Sequence, residues 1–270
     1  MTVKTELKTE KTMHNERHEI TVDQDILSFF LDIGEIMIMA GAEISRVEDT
    51  IRHLAAAYHC TRADVFAITS MLTVTLHTRE GEILTQLRRI STFETDMCRI
   101  EMCNALSRQL SRQPLEKAQL EQRIQEIRDR KRYPEYVILL GAYGGVSAVS
   151  SVFFGGSIRD AAAAFLCGLL LRVILRIGER IRLQRLVLVI LCSAAVGLGA
   201  VLLTAAGLGQ SVDKIIIGNI MLLIPGIAFT TSLRDLISGD LVSGMVGICE
   251  AILRAIATAV GFALVLWKFG

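Results

Sequence analysis

A chain of 270 residues with a net charge of +1 gives no electrostatic reason to bind nucleic acid, so no nucleic-acid partner is expected. The hydrophobic fraction of 51% and the mean hydropathy of +0.46 exclude an ordinary soluble globular chain. The charge is uneven, because 19 of the 29 Lys and Arg residues and 21 of the 28 Asp and Glu residues lie in 1–134. The sequence therefore predicts a polar head followed by an apolar membrane half.

The polar N-terminus indicates how the chain is organised. Its first twenty residues lack the apolar core of a cleavable signal peptide, and we predict a disordered tail over 1–20. We expect a head over 21–133 and a transmembrane domain over 134–270. A head of this size without an export signal is expected to stay in the cytoplasm, with the chain in the inner or plasma membrane. The six cysteines have no metal-binding spacing, so we predict reduced structural thiols and neither a metal nor a cofactor.

The head begins with two predicted helices. Apolar residues recur at helical spacing over 22–40, and Gly41 ends this amphipathic pattern. Ser45 and Glu48 have the spacing of a capping box at the start of the next helix, which is predicted to run to about His59.

The rest of the head predicts strands followed by helices. β-prone residues fill 64–78 and 83–90, with a turn between them, and helices are predicted over 94–112 and 115–132. The head is thus predicted to be α+β. It contains residue types that serve as nucleophiles or bases, but none stands in a nucleophile elbow, a metal motif or a phosphate loop: His53, His59, Cys60, Ser70 and His77. We therefore expect a regulatory or docking role and no enzymatic activity.

The membrane half contains five apolar stretches near the ~20 residues that a helix needs to cross the hydrocarbon core. They are 135–155, 159–176, 185–206, 213–230 and 241–267. Arg172 lies inside the second stretch and is expected to reach the interface by extending its side chain. The fold class predicted is an α-helical membrane protein with about five transmembrane helices and an N-terminal cytoplasmic α+β domain.

The Lys and Arg residues between the stretches predict the orientation. They are dense before the first stretch and between the second and third, which places the head inside and the C-terminal end of the fifth stretch outside. Glycine and serine are frequent in the first and third stretches, and we interpret them as sites of close helix packing.

The fourth stretch carries a helix breaker. Pro225 cannot donate a backbone hydrogen bond and predicts a kink or break, to which Gly226 adds freedom. At about 100° per residue, Asn219, Gly226 and Thr230 would share one narrow stripe. Broken helices at membrane depth expose backbone groups that transporters use to bind substrates and ions. A kink that serves shape alone is the competing interpretation.

The fifth stretch contains two ionisable residues one helical turn apart, Glu250 and Arg254. The helical period places them on one face with Ser243, Gly247 and Gly261. Counted from Leu241, Glu250 would lie near the bilayer centre, where a pair with Arg254 would lower the cost of burying charge. The functional interpretation is a proton or substrate site on a water-filled path. A buried ion pair that only holds helices together is the structural alternative.

The segment 231–240 is predicted to connect the last two stretches. Its charged residues, Arg234, Asp235 and Asp240, would form a cytoplasmic gate at the mouth of these stretches, or a solvated loop.

Several short segments, taken in order and spacing, resemble the threonine/serine exporter (ThrE) family over about 25–267. They are GAEISRVE at 41–48, Thr69-Ser70, TQLRRI at 85–90, LIPG at 223–226, GDLVSG at 239–244 and Glu250-Ala251. The resemblance implies a cytoplasmic α+β head, membrane helices and export of small polar metabolites driven by an ion or proton gradient. Relatives either carry two membrane halves in one chain or split them between a head-bearing five-span subunit and a small membrane subunit.

The chain resembles the split type, because it ends after one set of spans. The resemblance thus implies a second small membrane subunit and a higher oligomer as partners, and threonine, serine or a dicarboxylate such as succinate as substrate. On this interpretation Arg254 meets a substrate carboxylate and Glu250 takes a proton or an amino group. The full set of expected substrate- or ion-binding residues is Glu250, Arg254, Asp240, Asn219, Pro225, Gly226, Ser243 and Thr230.

Two other classes of protein stay open. One is a membrane-anchored sensor whose soluble head binds a ligand. The other is a membrane-tethered hydrolase, which activity assays of Ser70→Ala and Cys60→Ala would test.

Overall fold

The computed structural model describes residues 22–91, 93–130 and 133–269, so the predicted tail over 1–20 lies outside the described residues. Contacts divide the chain into two compact units, Met1–Arg130 and Lys131–Gly270, here called the head unit and the membrane unit.

The head unit contains four helices and three strands within its described residues. In chain order they are α1 Gln24–Met39, α2 Ile44–Ala57, β1 Arg62–Ile68, β2 Met71–His77, β3 Ile83–Arg89, α3 Met97–Arg112 and α4 Lys117–Arg128. The apolar face of α1 is fully buried and forms the centre of the core together with α2 and the inner face of the sheet. This arrangement is the α+β class that the alternation of patterns predicts.

The sheet has three antiparallel strands in the order β1-β2-β3. The predicted single strand over 64–78 is wrong, since Ile68 pairs with Met71 across a two-residue turn at Thr69 and Ser70. The four residues before the turn, 65–68, are all apolar, and β-prone residues continue after it, so the residue pattern alone does not reveal that the chain reverses.

The predicted capping box of α2 is also wrong. The helix begins at Ile44, and the N-cap position is Glu43 rather than Ser45. Glu48 instead accepts a hydrogen bond from the backbone N–H of Ala67, 3.0 Å from its Oε1. Ala67 lies in edge strand β1, so Glu48 gives a partner to an edge amide that the sheet leaves unpaired.

Cys103 on α3 is fully buried, and burial raises the pKa of its thiol to about 12, although nearby Arg99 acts in the opposite direction. At pH 8 only about one such thiol in ten thousand is a thiolate, which is the reactive form. We therefore expect maleimide to leave Cys103 unmodified in the folded protein and to label it in denaturant. Peptide mass spectrometry gives the measurement. The partly exposed Cys98 on the same helix is the internal control, and labelling of both at equal rates would contradict the buried placement.

The membrane unit is helical throughout its described residues apart from short connections. The first helix combines α5 Glu135–Val137, a π-helix Ile138–Gly145 and α6 Val146–Phe153. The others are α7 Ile158–Arg180, α8 Arg185–Ala205, α9 Val212–Leu223, α10 Gly226–Ser238 and α11 Leu241–Phe269. The π-helix was not predicted; such segments are rare and are frequent at functional sites.

By length and composition, four helices within the described residues can cross a membrane, and there are five if α9 and α10 count as one bent span. The bend between α9 and α10 is 49°, so the predicted break at Pro225 is confirmed. The predicted connection over 231–240 is wrong, because α10 continues to Ser238. Gly239, at φ +99°, turns the chain directly into α11.

Small residues bring the helices of the membrane unit close together. A Cβ built on Gly144 would lie 2.5 Å from the ring of Phe165, and one on Gly218 would lie 2.5 Å from the backbone oxygen of Ser147. These contacts support the interpretation of the small residues as packing sites.

Helices α8 and α11 are parallel neighbours. Gly261 faces Ile190 and Ser193, while Gly197 faces Phe262 and Val265 one turn further along both helices. This register fixes the level of every α11 residue relative to α8.

Candidate functional site

The predicted pair on α11 forms. The Arg254 guanidinium donates a hydrogen bond of 2.5 Å to the Glu250 carboxylate, and a second guanidinium, that of Arg185, lies 3.9 Å from the same carboxylate. The Glu250 side chain is 49% exposed and the Arg254 side chain 25%. One carboxylate therefore faces two arginines on a partly open surface.

The level of this pair differs from the sequence-based expectation. Arg185 is the first residue of α8, and α8 is parallel to α11, so Glu250 lies level with the end of a spanning helix rather than with its middle. A depth near the bilayer centre holds only if Leu241 lies at the membrane boundary. Helix α11 has 29 residues and is about 43 Å long, longer than the ~30 Å hydrocarbon core, so its first residue does not mark the membrane boundary.

The other small residues of the predicted stripe face different neighbours. Gly247 packs against Ser232 of α10, whereas Gly261 packs against α8. The stripe on α11 is thus covered by α10 at one end and by α8 at the other. Glu250 and Arg254 lie between these two contacts, where the face is partly open.

The helix break lies level with the same pair. Helices α10 and α11 are antiparallel, with Gly247 against Ser232 and Gly244 against Leu236. Because the two helices are antiparallel, Gly226, six residues before Ser232 on α10, is level with the residue six positions after Gly247 on α11, which is about residue 253. The break in the fourth span and the ion pair in the fifth therefore occur at one level of the membrane unit.

The break exposes backbone groups. Ile224 has an extended backbone with ψ 125°, α10 begins at Gly226, and no atom lies within 4 Å of a Cβ built on Gly226. The first amides of α10 give this open region the partial positive charge of a helix N-terminus. Thr230 is exposed, and its hydroxyl bonds back to the Gly226 and Ile227 carbonyls.

Asn219 does not join this region. It is fully buried and accepts a hydrogen bond of 3.0 Å from Ser147, while its amide nitrogen donates to the Ala164 and Ile215 carbonyls. The predicted stripe of Asn219, Gly226 and Thr230 requires one continuous helix. The bend after Leu223 interrupts that helix, so Asn219 does not share a face with Gly226 and Thr230. Its three hydrogen bonds tie α6, α7 and α9 together, which is a structural role.

Ser243 and Asp240 flank the turn between α10 and α11. Ser243 is 2% exposed, and its hydroxyl has no hydrogen-bond partner within 22–91, 93–130 and 133–269. The Asp240 carbonyl accepts the Gly244 amide and so starts α11. Both residues lie near the tip of the helical hairpin, about two turns (Ser243) and nearly three turns (Asp240) from Glu250.

Sequence reasoning missed a second charged cluster. The two oxygens of Glu135 accept from the Arg172 guanidinium at 3.0 and 3.3 Å, and Arg176 lies 3.6 Å away. Arg172 also lies over the Tyr143 ring, 5.4 Å from its centroid. Arg172 therefore extends to Glu135, the residue at which the first span begins. The sequence signal for this ion pair was Glu135 at the start of the first span together with Arg172 inside the second span.

Asp160 in the first turn of α7 was also missed. It is 2% exposed and accepts hydrogen bonds from Ser157, Gln210 and Ser211. These bonds join the connection before α7 to the connection between α8 and α9. The spacing of Ser157 and Asp160 is that of a capping box, which sequence reading could have recognised.

Apolar helices of spanning length, with their polar side chains paired between helices, define a multi-pass α-helical membrane protein. Residues 28–267 match the family model described as "Putative threonine/serine exporter", and the chain belongs to this threonine/serine exporter family.

A curated relative from Mycobacterium tuberculosis (strain ATCC 25618 / H37Rv), described as "Probable threonine/serine exporter", is 23% identical over 243 residues. This alignment covers 87% of the chain and 45% of the relative, so the chain spans about half the length of that protein. No solved structure matches the chain.

Proposed function

We propose that the chain is the head-bearing subunit of a secondary exporter of small polar metabolites, with the head unit in the cytoplasm. The proposal rests on the Glu250–Arg254 pair and on the register of α10 against α11, which, when extended, places the helix break at Pro225–Gly226 near the level of this pair. Family membership gives the substrate class its support, since the matching descriptions name threonine and serine.

The chemistry of the site suits an amino acid or a dicarboxylate. Arg254 and the amides at the start of α10 offer positive charge to a substrate carboxylate. Glu250 offers negative charge to an amino group, or takes a proton when the gradient drives transport. Because Glu250 is shared by Arg254 and Arg185, a substrate carboxylate can take over one guanidinium without leaving Glu250 unpaired. The pair lies at the end of α8, so we assign it to the substrate entrance.

A second subunit is part of the proposal. The curated relative is about twice as long as its aligned region. A small membrane subunit, in an oligomer of both chains, would supply what the remaining half of that relative contains. Threonine, serine and dicarboxylates such as succinate are the proposed substrates, and an ion or proton gradient the driving force.

Substitution of Arg254 tests the site. Efflux of labelled threonine, serine and succinate is measured from vesicles that contain this chain and its partner subunit. We expect Arg254→Gln to lower efflux at least tenfold, because loss of one charge-assisted contact is worth about 1.5–3 kcal/mol. Glu250→Gln is expected to weaken the dependence of efflux on external pH. Arg159→Gln is the matched control, since Arg159 is an exposed arginine at the start of α7, the end of that helix far from the connection to α8 and Arg185.

Two results would contradict the assignment. Efflux by Arg254→Gln at the level of Arg159→Gln would remove Arg254 from the substrate path. A pH dependence that Glu250→Gln leaves unchanged would exclude proton coupling through Glu250.

A further inference from the structure

An open groove lies on the surface of α7 near its C-terminal end. Its volume is about 370 Å³, and it is lined by Val173, Arg176, Ile177 and Arg180. Val173 and Ile177 are four positions apart, as are Arg176 and Arg180, so two adjacent rows on one side of α7 carry two apolar side chains and two guanidinium groups. The groove is on a different helix from the Glu250–Arg254 pair.

The apolar half of this groove continues along the helix. Leu166, Leu170, Val173 and Ile177 recur at spacings of four, three and four residues, and all four are exposed. They form one unbroken apolar stripe from the groove towards the middle of α7. In a spanning helix such a stripe contacts acyl chains, and its end at the groove marks where the hydrocarbon region gives way to headgroups.

The charged half of the groove is only partly neutralised by the residues that the structure describes. Glu135 is already engaged by two hydrogen bonds from Arg172, and Arg176 is a more distant partner of the same carboxylate at 3.6 Å. Arg180 makes no ion pair with the residues that the structure describes. Glu179 is seven residues after Arg172, which is about two helical turns, so its carboxylate lies on the Arg172 side of α7 and does not neutralise the groove. The groove therefore presents net positive charge.

We propose that this groove binds the phosphate of an anionic phospholipid, with an acyl chain along the stripe of exposed apolar residues on α7. Two guanidinium groups on successive turns can hold phosphate oxygens with paired N–H donors. The Arg180 end of α7 is the end that the distribution of Lys and Arg assigns to the cytoplasm, where anionic headgroups meet basic residues near helix ends. A phosphate bound here would also hold Arg176 in place, beside the Glu135–Arg172 pair that joins the first two spans.

The test measures lipid retention by the purified full-length protein in nanodiscs that contain phosphatidylglycerol and phosphatidylcholine in equal amounts. Native mass spectrometry is expected to show retained phosphatidylglycerol and little phosphatidylcholine. Each of Arg176→Gln and Arg180→Gln should lower the retention about fivefold, and the double variant about 25-fold, from roughly 1 kcal/mol per basic residue. Arg180→Lys keeps the charge and should retain more lipid than Arg180→Gln.

Two further arms decide what is bound and where. Arg159→Gln, at the other end of the same helix, should retain as much phosphatidylglycerol as the unmodified protein. An equal loss in this variant would overturn the site, because it would indicate a general effect of charge. Inorganic phosphate should not displace the lipid at millimolar concentration. Displacement by phosphate, or equal retention of the two lipids, would overturn the assignment to a phospholipid.

Discussion

Replacement of Gly261 by leucine is expected to separate α8 from α11 and to destabilise the membrane unit by about 3 kcal/mol or more. A Cβ at this position would collide with the Ser193 hydroxyl and would lie 2.5 Å from the Ile190 oxygen and 3.0 Å from the Ala194 nitrogen. The serine side chain can rotate, but the two backbone atoms belong to α8 and can yield only if the whole helix moves. Close contact of this kind supplies the packing energy between helices in lipid.

The measurement is thermal unfolding of the purified protein in detergent, followed by size-exclusion fluorescence after heating. Gly141→Leu is the matched control, since Gly141 is exposed and a Cβ there has no atom within 4 Å. We expect the control to stay within about 0.5 kcal/mol of the unmodified protein, as surface substitutions usually do. Equal stability of Gly261→Leu and Gly141→Leu would show that α8 and α11 are not in contact as described.

Asp160→Ala is expected to cost about 3 to 4 kcal/mol, because it leaves several buried donors without an acceptor at once. Its two oxygens accept from the Ser157 amide and hydroxyl and from the amides of Gln210 and Ser211, at 2.7 to 2.9 Å. These bonds hold the start of α7 to the connection before α9. We expect the loss to loosen this end of the membrane unit while the head unit keeps its own unfolding transition.

Asp160→Asn separates the hydrogen bonds from the rest of the side chain. The asparagine keeps one oxygen for the Gln210 and Ser211 amides, but its NH₂ group faces the Ser157 amide, where it cannot accept. We expect a loss about half that of Asp160→Ala, measured in the same thermal assay. Equal losses in the two variants would indicate that the Gln210 and Ser211 bonds contribute nothing to stability.

The position of the Glu250–Arg254 pair changes what the pair can do. A pair at the centre of the bilayer would pay a large desolvation cost and would need a water-filled path to exist at all. A half-exposed pair at the end of α8 is accessible without such a path. In the function proposed above, this pair, Arg185 and the adjacent helix break form the substrate entrance.

The sequence by itself determined the features that depend on local chemistry. The predicted stretches 185–206 and 241–267 agree with α8 and α11 within two residues, because helix length and apolar composition are properties of one segment. The break at Pro225 follows from a missing amide hydrogen, and the Glu250–Arg254 pair from a spacing of one helical turn. None of these needs knowledge of a neighbouring helix.

The tertiary structure decided everything that depends on register between segments. The level of Glu250 is fixed by the packing of α11 against α8, which no count along one helix can supply. Asn219 became a structural residue because α6 and α7 bring Ser147 and the Ala164 carbonyl to it. A helix determines which of its residues share a face. Only contacts between helices determine what that face meets and how deep it lies.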